Sequence, residues 1–189
     1  MPTNTRALVL ALLLLGVFST TTADEVQDRR DHAGVRLFRS LLAADLDLPK
    51  KTVAANQLLI LFLYVDDAKH ANDLAKSFIE ESKERDKLRG LSIVIEPTND
   101  ITFAKYAARV PAGIFIADAP NKSALASIVR YGIAHRVIVY SPYEGHVESG
   151  VLGGLSVEAQ VRPFVNRSTL EASQITLKSF FLEVAKVYR

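Results

Sequence analysis

Short apolar runs alternate with segments of helical periodicity through the middle of the chain. The runs cover residues 58–65, 91–95, 113–117 and 136–140. Between the first two, Asp66 and Asp67 offer N-capping oxygens, and residues 71–79 then place apolar side chains at spacings of three and four. A run that is apolar at every position is typical of a strand buried on both faces. The alternation therefore predicts βαβ units around a mostly parallel sheet.

The polar and proline positions set the expected ends of these elements. Helical spacing of apolar residues begins at Val35 and ends before Pro49, which predicts a helix. The charged residues 24–34 before it are expected to form a flexible lead-in. The strand at 91–95 is expected to stop at Pro97, and residues 101–108 to form a short helix or turn.

The pattern changes after residue 150. Residues 150–156 and 158–165 follow each other without a helix between them, which predicts a hairpin or an edge strand pair, and Pro163 favours an edge. A last helix is expected, with Phe180 and Phe181 anchoring an apolar stripe in the core; the stripe is Leu177, Phe180, Phe181, Val184, Val187 and Tyr188. The predicted fold class is α/β: a three-layer sandwich with a mostly parallel sheet, helices on both faces and a C-terminal hairpin or edge strand pair. Residues 35–189 are expected to form one domain.

The N-terminal residues 1–23 have the pattern of a secretory signal peptide. Arg6 precedes an apolar run over residues 7–18, and Thr21 and Ala23 occupy the −3 and −1 positions of a cleavage site. The run is shorter than the roughly 20 residues that span a membrane, although a retained N-terminal anchor is the alternative. We therefore expect export to the periplasm and a mature chain that begins at Asp24.

The amino-acid composition and the absence of known motifs argue against several classes of function. The chain has 23 basic and 21 acidic residues, a net charge of +2, which argues against a nucleic-acid partner. It has no cysteine, so disulfides, thiol nucleophiles and thiolate metal sites are excluded. No phosphate loop, dinucleotide fingerprint, serine-hydrolase elbow or zinc-protease pair occurs in the sequence. We expect no catalysis, no cofactor and no metal.

One loop is the predicted binding site for a partner or ligand. It follows the fourth apolar run, and open α/β sheets bind ligands outside the carboxyl ends of their strands. Its site residues are Ser141, Pro142, Tyr143, Glu144 and His146. Proline stiffens such a loop, Gly145 permits a bend, and tyrosine is enriched at binding hot spots. The competing interpretation is that Tyr143 only covers the core.

The same region invites three chemical interpretations that we rank lower. In an extended backbone Glu144, His146 and Glu148 would share one face and could hold a divalent ion, but a solvated acidic loop is favoured. Ser141 with His146 could form a nucleophile and base, although no orienting acid is evident. The glycine-rich residues 150–156 lack the lysine of a phosphate loop and favour a bend or bulge.

The C-terminal half resembles the YfiR/HmsC family of periplasmic regulators. The resemblance extends over residues 57–189 and is strongest from residue 110 onward. It is carried by Gly113-Ile-Phe-Ile, Arg136-Val-Ile-Val-Tyr-Ser-Pro, Gly150-Val-Leu-Gly-Gly-Leu, Val161-Arg-Pro-Phe-Val-Asn166 and Leu177-Lys-Ser-Phe-Phe-Leu182. Several family members carry disulfide-forming cysteines, and this chain has none.

The resemblance implies an exported α/β protein that binds the periplasmic part of a membrane diguanylate cyclase and represses it. Loss of that contact would raise cyclic-di-GMP and promote biofilm formation. The expected partner is thus a membrane sensor protein, and a homodimer is left open. The alternative is a periplasmic small-ligand-binding domain, accessory to a transporter or sensor kinase, that uses the loop at residues 141–144. A hydrolase is the third hypothesis, which the missing motifs disfavour.

Overall fold

The computed structural model describes residues 21–81 and 86–189, so residues 1–20 of the predicted signal peptide lie outside the described part. The helices are α1 (Thr21–Ala44), α2 (Ala68–Glu80), α3 (Lys122–His135), α4 (Arg167–Ala172) and α5 (Ser179–Val184). The strands are β1 (Thr52–Ala54), β2 (Gln57–Leu63), β3 (Lys87–Leu88), β4 (Leu91–Thr98), β5 (Gly113–Ile116), β6 (Ile138–Ser141), β7 (Gly153–Val157), β8 (Val161–Asn166) and β9 (Lys186–Tyr188). Single 3₁₀ turns occur at Leu48–Lys50 and at Ala104–Tyr106, inside the predicted short helix or turn.

The centre of the sheet is parallel, with strand order β4-β2-β5-β6-β7. In order of appearance along the chain this is 2-1-3-4-5, the flavodoxin-like doubly wound arrangement. An antiparallel β3 extends one edge, β8 and β9 extend the other, and β1 pairs with the start of β2. The order reverses between β2 and β5, so the topological switch point lies outside the carboxyl ends of those two strands.

Helices cover both faces of this sheet, as predicted. One face packs against α1 and α2 in a cluster that includes Phe38, Leu42, Phe62, Leu74, Phe78, Phe115 and Tyr140. The other face packs against α3 in a cluster that includes Leu59, Leu61, Ile114, Ile116, Leu125 and Ile128. Successive residues from Leu58 to Leu63 alternate between the two clusters, which explains why β2 is apolar at every position after Gln57. The α/β three-layer fold class is confirmed.

Helix α1 corrects the expected start of the domain. It begins at Thr21, so residues 24–34 belong to the helix and the prediction of a flexible lead-in is wrong. Gln27 donates to Asp31 within the helix over 2.9 Å, and Arg30 Nε donates to the carbonyl of Pro142 at the end of the sheet over 2.6 Å. Asp31 is buried, whereas Asp28, Arg29 and His32 are exposed.

The close approach of α1 to the sheet accounts for the glycine-rich segment. Gly153 is part of β7, and a Cβ atom on it would lie only 2.4 Å from Cδ2 of Leu41 on α1. A larger residue would push the helix away from the sheet. The segment therefore serves packing in a strand, in agreement with the favoured interpretation, and no helix follows it to form a phosphate loop.

Strand β4 passes through Pro97 and continues to Thr98, so the expected stop at Pro97 is wrong. Proline removes one ladder donor, which matters only where a neighbour would accept it. On the outer side of β4, β3 pairs only with Leu91 and Ser92. The position of Pro97 is thus an unpaired edge, where the missing donor is tolerated.

The C-terminal pair is confirmed, and the last helix differs from its prediction. Strands β7 and β8 form the predicted antiparallel pair, and Pro163 precedes the short stretch in which β8 pairs with β9. Helix α5 ends at Val184, because residues 186–188 pair with β8 as an edge strand instead of extending the helix. No helix among the described residues is long and apolar enough to cross a membrane.

The two phenylalanines of α5 have opposite environments. Phe181 is 4% exposed and belongs to the cluster under α1, whereas Phe180 is 60% exposed. The expectation that both anchor the helix is therefore wrong for Phe180, which faces away from the core. Only one residue of this pair secures the C-terminal segment.

We predict that Phe181→Ala lowers the free energy of unfolding by about 3–5 kcal/mol, because it removes a buried ring and leaves a cavity. The matched control, Phe180→Ala, should change it by no more than about 0.5 kcal/mol. Urea denaturation followed by circular dichroism measures both values. Equal effects of the two substitutions would contradict this assignment of the core.

Candidate functional site

The switch point between β2 and β5 is filled by a carboxylate of the protein itself. Asp118 follows β5, and its side chain accepts hydrogen bonds from the backbone N–H groups of Val65, Asp66 and Asp67 at 2.6, 2.9 and 2.9 Å. Three convergent N–H groups form an anion-binding concavity. The side chain of Asp67 in turn caps α2 by accepting from the N–H of His70, as the sequence predicts. A ligand at this edge must bind beside the switch point.

Tyr143 lies across the carboxyl ends of the neighbouring strands. Its hydroxyl donates to the carbonyl of Ala117 over 2.7 Å. Burial, together with the carboxylates of Asp31 and Asp118, raises the pKa of this hydroxyl to about 12. Tyr143 is therefore a neutral hydrogen-bond donor at physiological pH, and its half-buried ring covers the strand ends.

Helix α1 holds the loop from the other side. The hydrogen bond from Arg30 to the carbonyl of Pro142 joins residues 112 positions apart in the chain. One residue further on, the buried Asp31 lies 3.4 Å from Nε2 of His70 on α2. Burial raises the pKa of Asp31 against the opposing effect of His70. These contacts join α1, α2 and the loop after β6 at the carboxyl edge.

Ser141 and His146 form a structural pair. The hydroxyl oxygen of Ser141 lies 2.7 Å from Nδ1 of His146 and accepts from the N–H of Tyr143 at 3.2 Å. A hydroxyl oxygen can accept two hydrogen bonds, so it donates to Nδ1 in one imidazole tautomer and accepts from Nδ1–H in the other. Ser141 is only 1% exposed. A nucleophile needs access to substrate, so the nucleophile–base interpretation is not supported and the pair orders the turn instead.

The metal interpretation depends on an extended backbone, which the loop does not have. Residues 143–150 form turns, with Gly145 at φ +77° and the N–H of Ser149 bonded to the carbonyl of Gly145. The alternation of Glu144, His146 and Glu148 therefore does not place them on one face. Among residues 21–81 and 86–189, no group of three or more acidic or histidine side chains is arranged to hold a metal ion.

A depression of about 180 Å³ opens beside this loop. Of the predicted site residues, Tyr143 and Glu144 line it, Ser141 and Pro142 are buried beneath, and His146 packs 5.6 Å from the Tyr143 ring. The remaining walls come from α1 and the C-terminal strands and include Arg30, Leu155, Glu158, Phe164 and Lys186. The loop thus lies at the carboxyl edge as predicted, and two of its five site residues face the depression.

The depression combines charges of both signs with an apolar floor. Arg30 and Lys186 contribute the cations, and the carboxylates are Glu144, Glu148 and Glu158. Lys186 lies 2.9 Å from Glu158, and its hydrogen bond is the main cause that lowers the pKa of that exposed carboxyl. The floor is formed by Val147, Leu155 and Phe164. Such a surface suits a small molecule that carries both charges and an apolar part.

Sequence reasoning missed Arg30, Phe164 and Lys186. Arg30 could have been found from its spacing: with Asp31 it continues, toward the N-terminus, the helix that Val35 and Phe38 define. Phe164 and Lys186 meet because β9 returns to pair with β8, a long-range contact that has no local signal.

Comparison with solved structures identifies similar folds. An ABC domain from Streptococcus pneumoniae, solved in complex with L-Trp, is 14% identical with a TM-score of 0.52; the match covers 82% of this chain and 60% of that one. A conserved domain protein from Vibrio cholerae is 16% identical with a TM-score of 0.49, covering 69% of this chain and 54% of that one. This chain spans less than two thirds of either protein.

At this level of identity the first similarity supports the α/β fold and nothing finer. A comparison with protein-family models finds no match, and a comparison with curated proteins finds none either. The fold is therefore a doubly wound α/β domain, and its function has to be argued from the site.

We predict that His146 makes stability depend on pH. Burial lowers its pKa below the ordinary value of about 6.5, so the unfolded chain binds the proton more tightly. The stabilisation is complete above the ordinary pKa and is lost as the pH falls through the folded-state value. Urea denaturation at about pH 7.5 and about pH 5.5 should show a larger loss of stability for the native chain than for His146→Gln. Parallel pH profiles would contradict this, because Asp31 and the other titrating groups are common to both chains.

Proposed function

We propose that this protein is a small-ligand-binding domain without catalytic activity, whose ligand is a small zwitterionic molecule such as an amino acid. The observation that carries the proposal is the depression beside Tyr143, where both charge signs meet an apolar floor at the carboxyl edge of the sheet. Ligands of open α/β sheets bind at this edge. With the predicted signal peptide, the domain would work in the periplasm as an accessory to a transporter or sensor kinase.

Each part of such a ligand has a counterpart in the depression. The Nε of Arg30 is engaged by Pro142, which orients the guanidinium and leaves its terminal nitrogens for a carboxylate. Glu144 is exposed and offers a carboxylate for an ammonium group. Tyr143 and Phe164 offer aromatic surface to the apolar part. A volume of about 180 Å³ corresponds to roughly six water molecules at about 30 Å³ each, so the ligand is small or protrudes into solvent.

The structural comparison agrees with this chemical class. The similar ABC domain was solved with L-Trp, which carries one carboxylate, one ammonium group and an apolar side chain. The proposal for this chain rests on its own lining residues, because the fold is shared at low identity.

The test is isothermal titration calorimetry of the chain from Asp24 with the common L-amino acids. We predict saturable binding of at least one of them, weakened about tenfold by Glu144→Gln because a charge-assisted hydrogen bond is lost. Glu80→Gln is the matched control, since Glu80 is an exposed acid at the far end of α2.

Two results would overturn the proposal. One is the absence of binding by any amino acid at about 10 mM, a concentration that would nearly saturate a site with a Kd of about 1 mM. The other is an equal loss of affinity in the Glu144 and Glu80 variants, which would mean that net charge rather than the depression determines binding.

A second candidate function is regulation by protein contact, as the resemblance to YfiR implies, with a membrane diguanylate cyclase as the partner. The observation that favours it is a set of exposed apolar side chains at the C-terminal edge. Val157, Phe180 and Val184 are 61%, 60% and 56% exposed. Phe180 is the aromatic residue among them, and phenylalanine is enriched in the core of protein interfaces.

For this candidate we predict that Phe180→Ser weakens binding to the periplasmic domain of such a cyclase by about tenfold or more, as loss of an aromatic hot spot does. Biolayer interferometry measures the affinity. Ile101→Ser is the matched control, because Ile101 is 38% exposed in the segment after β4, on the opposite side of the sheet from β8 and β9. Unchanged affinity of the Phe180 variant, or no binding by the native chain, would exclude the C-terminal edge as the contact.

A further inference from the structure

A second and larger cavity, of about 430 Å³, lies at the opposite end of the sheet. It opens at the amino ends of β5 and β6. Its walls come from the segment between α1 and β1, the residues before β5, the end of α3 and the connection between α4 and α5. This volume falls within the range of about 300–1,000 Å³ that small-molecule sites occupy. It shares no lining residue with the depression beside Tyr143.

The lining of this cavity carries excess positive charge. Its cations are Lys50, Lys51, Arg109 and Arg136, and its carboxylates are Asp45 and Asp47. His135 adds an imidazole at the rim. Clefts lined by one sign of charge concentrate ions of the opposite sign. The balance therefore favours an anionic ligand.

Three of the cations are held in ion pairs, and the first of them, Lys50, has its Nζ 2.6 Å from Asp47. Nζ of Lys51 lies 2.6 Å from the fully buried Asp45 and donates to the carbonyl of Arg136 over 2.6 Å. Arg109 pairs with Glu96 at 3.0 Å. These contacts hold the charged groups in place around the cavity before any ligand arrives, which reduces the entropy that binding would cost.

Arg136 is the cation best suited to a ligand. Its guanidinium donates to the side-chain oxygen of Gln174, which is neutral and leaves the charge of Arg136 uncompensated by this bond. Both residues have left-handed backbones, with φ of 57° and 54°. Glycine adopts that conformation more easily. The chain instead places two side chains there that meet over the cavity, and a guanidinium binds carboxylate and phosphate oxygens through paired hydrogen bonds.

The cavity also has an apolar part. Val53, Val110, Pro111 and Ile175 contribute to its walls. A simple inorganic anion would leave these groups in contact with water, whereas an organic anion would cover them. The lining thus matches a molecule with an oxyanion group at one end and an apolar body at the other.

We propose that this cavity is a binding site for a small organic oxyanion, a carboxylate or a phosphate monoester, with Arg136 as the principal anion-binding residue. Lys50 and Lys51 lie beside it, each in an ion pair with an aspartate, and the apolar walls hold the body of the ligand. The site is separate from the one beside Tyr143 and does not depend on the function proposed there.

The experiment uses the chain from Asp24 and probes of known chemistry. Phenylacetate and phenyl phosphate are titrated by calorimetry alongside acetate, inorganic phosphate and the neutral phenylacetamide. We expect at least one aromatic anion to bind saturably, tighter than the inorganic or acetate anion, and phenylacetamide not to bind. Affinity should fall with added salt, because exposed charges are screened over about 10 Å at 0.1 M salt.

Variants locate the site. Arg136→Gln should weaken binding of the aromatic anion by about tenfold or more. Arg130→Gln is the matched control on the same helix, where Arg130 is exposed and bonds Ser127. Lys50→Gln should weaken binding a few-fold; the Lys50 side chain is 81% exposed, so this variant keeps the test valid if Arg136→Gln does not fold.

Several results would overturn the proposal. The first is that neither aromatic anion binds at about 10 mM, a concentration at which a site with a Kd of about 1 mM would be nearly saturated. The second is that phenylacetamide binds with the same affinity as the aromatic anions. The third is that Arg130→Gln weakens binding as much as Arg136→Gln does. Binding that is lost in Arg30→Gln but retained in Arg136→Gln would assign the anions to the depression beside Tyr143. Failure of amino acids to bind that depression leaves the present proposal standing, so the two sites are tested separately.

Discussion

The packing of Phe38 against the sheet is the contact on which the rest of the architecture depends. Its ring lies 5.5 to 6.4 Å from four other aromatic rings, those of Phe62, Phe78, Phe115 and Tyr140. They belong to β2, α2, β5 and β6, so one side chain joins two helices and the centre of the sheet. Aromatic pairs at these distances contribute about 0.5–1.5 kcal/mol each beyond their area burial. Through this contact α1 is fixed in both position and direction.

A fixed α1 determines what lies at each end of the sheet. Arg30, on its N-terminal half, reaches the carboxyl edge and holds Pro142, while Asp45, just after its last residue, is buried at the amino edge and holds Lys51. The 14 steps of helix from Arg30 to Ala44 extend about 21 Å at 1.5 Å per residue. The two candidate sites therefore lie at opposite ends of this helix, and different charged residues line them.

The parallel sheet could be predicted from sequence because every position of β2 after Gln57 is apolar, as expected of a strand whose side chains are buried on both faces of the sheet. The C-terminal pair was equally evident from the lack of an intervening helix. The start of α1 could not be predicted from sequence, since Arg30 and Asp31 bind polar groups that come close to them only in the folded structure. The end of the chain shows the same limit. Val187 and Tyr188 continue a helical stripe in the sequence, but in the structure they pair with β8. Val187 pairs with Val165, which lies 22 residues earlier in the chain, so no local pattern predicts the strand.

The sequence places the loop after β6 at the correct edge of the sheet, but the metal site that its pattern suggests is not formed. Its alternating Glu144, His146 and Glu148 suggested a metal site only if the backbone were extended, and Gly145 turns it instead. The turn brings His146 to Ser141, and their hydrogen bond stabilises the loop. Glu144 is exposed, and Tyr143 is held in position by the hydrogen bond that its hydroxyl donates to the carbonyl of Ala117.

Strand β9 connects the two functions that the carboxyl edge could serve. Lys186 lines the depression beside Tyr143, and the next residue, Val187, is 37% exposed on the outermost strand. A ligand that engaged Lys186 would compete with Glu158 for its ammonium group and would stabilise β9 against β8, because a ligand stabilises whatever state it binds. The edge that carries the exposed apolar residues would then be more ordered with ligand than without it. If both proposals hold, ligand binding and protein contact at this edge are coupled through one short strand, and neither excludes the other.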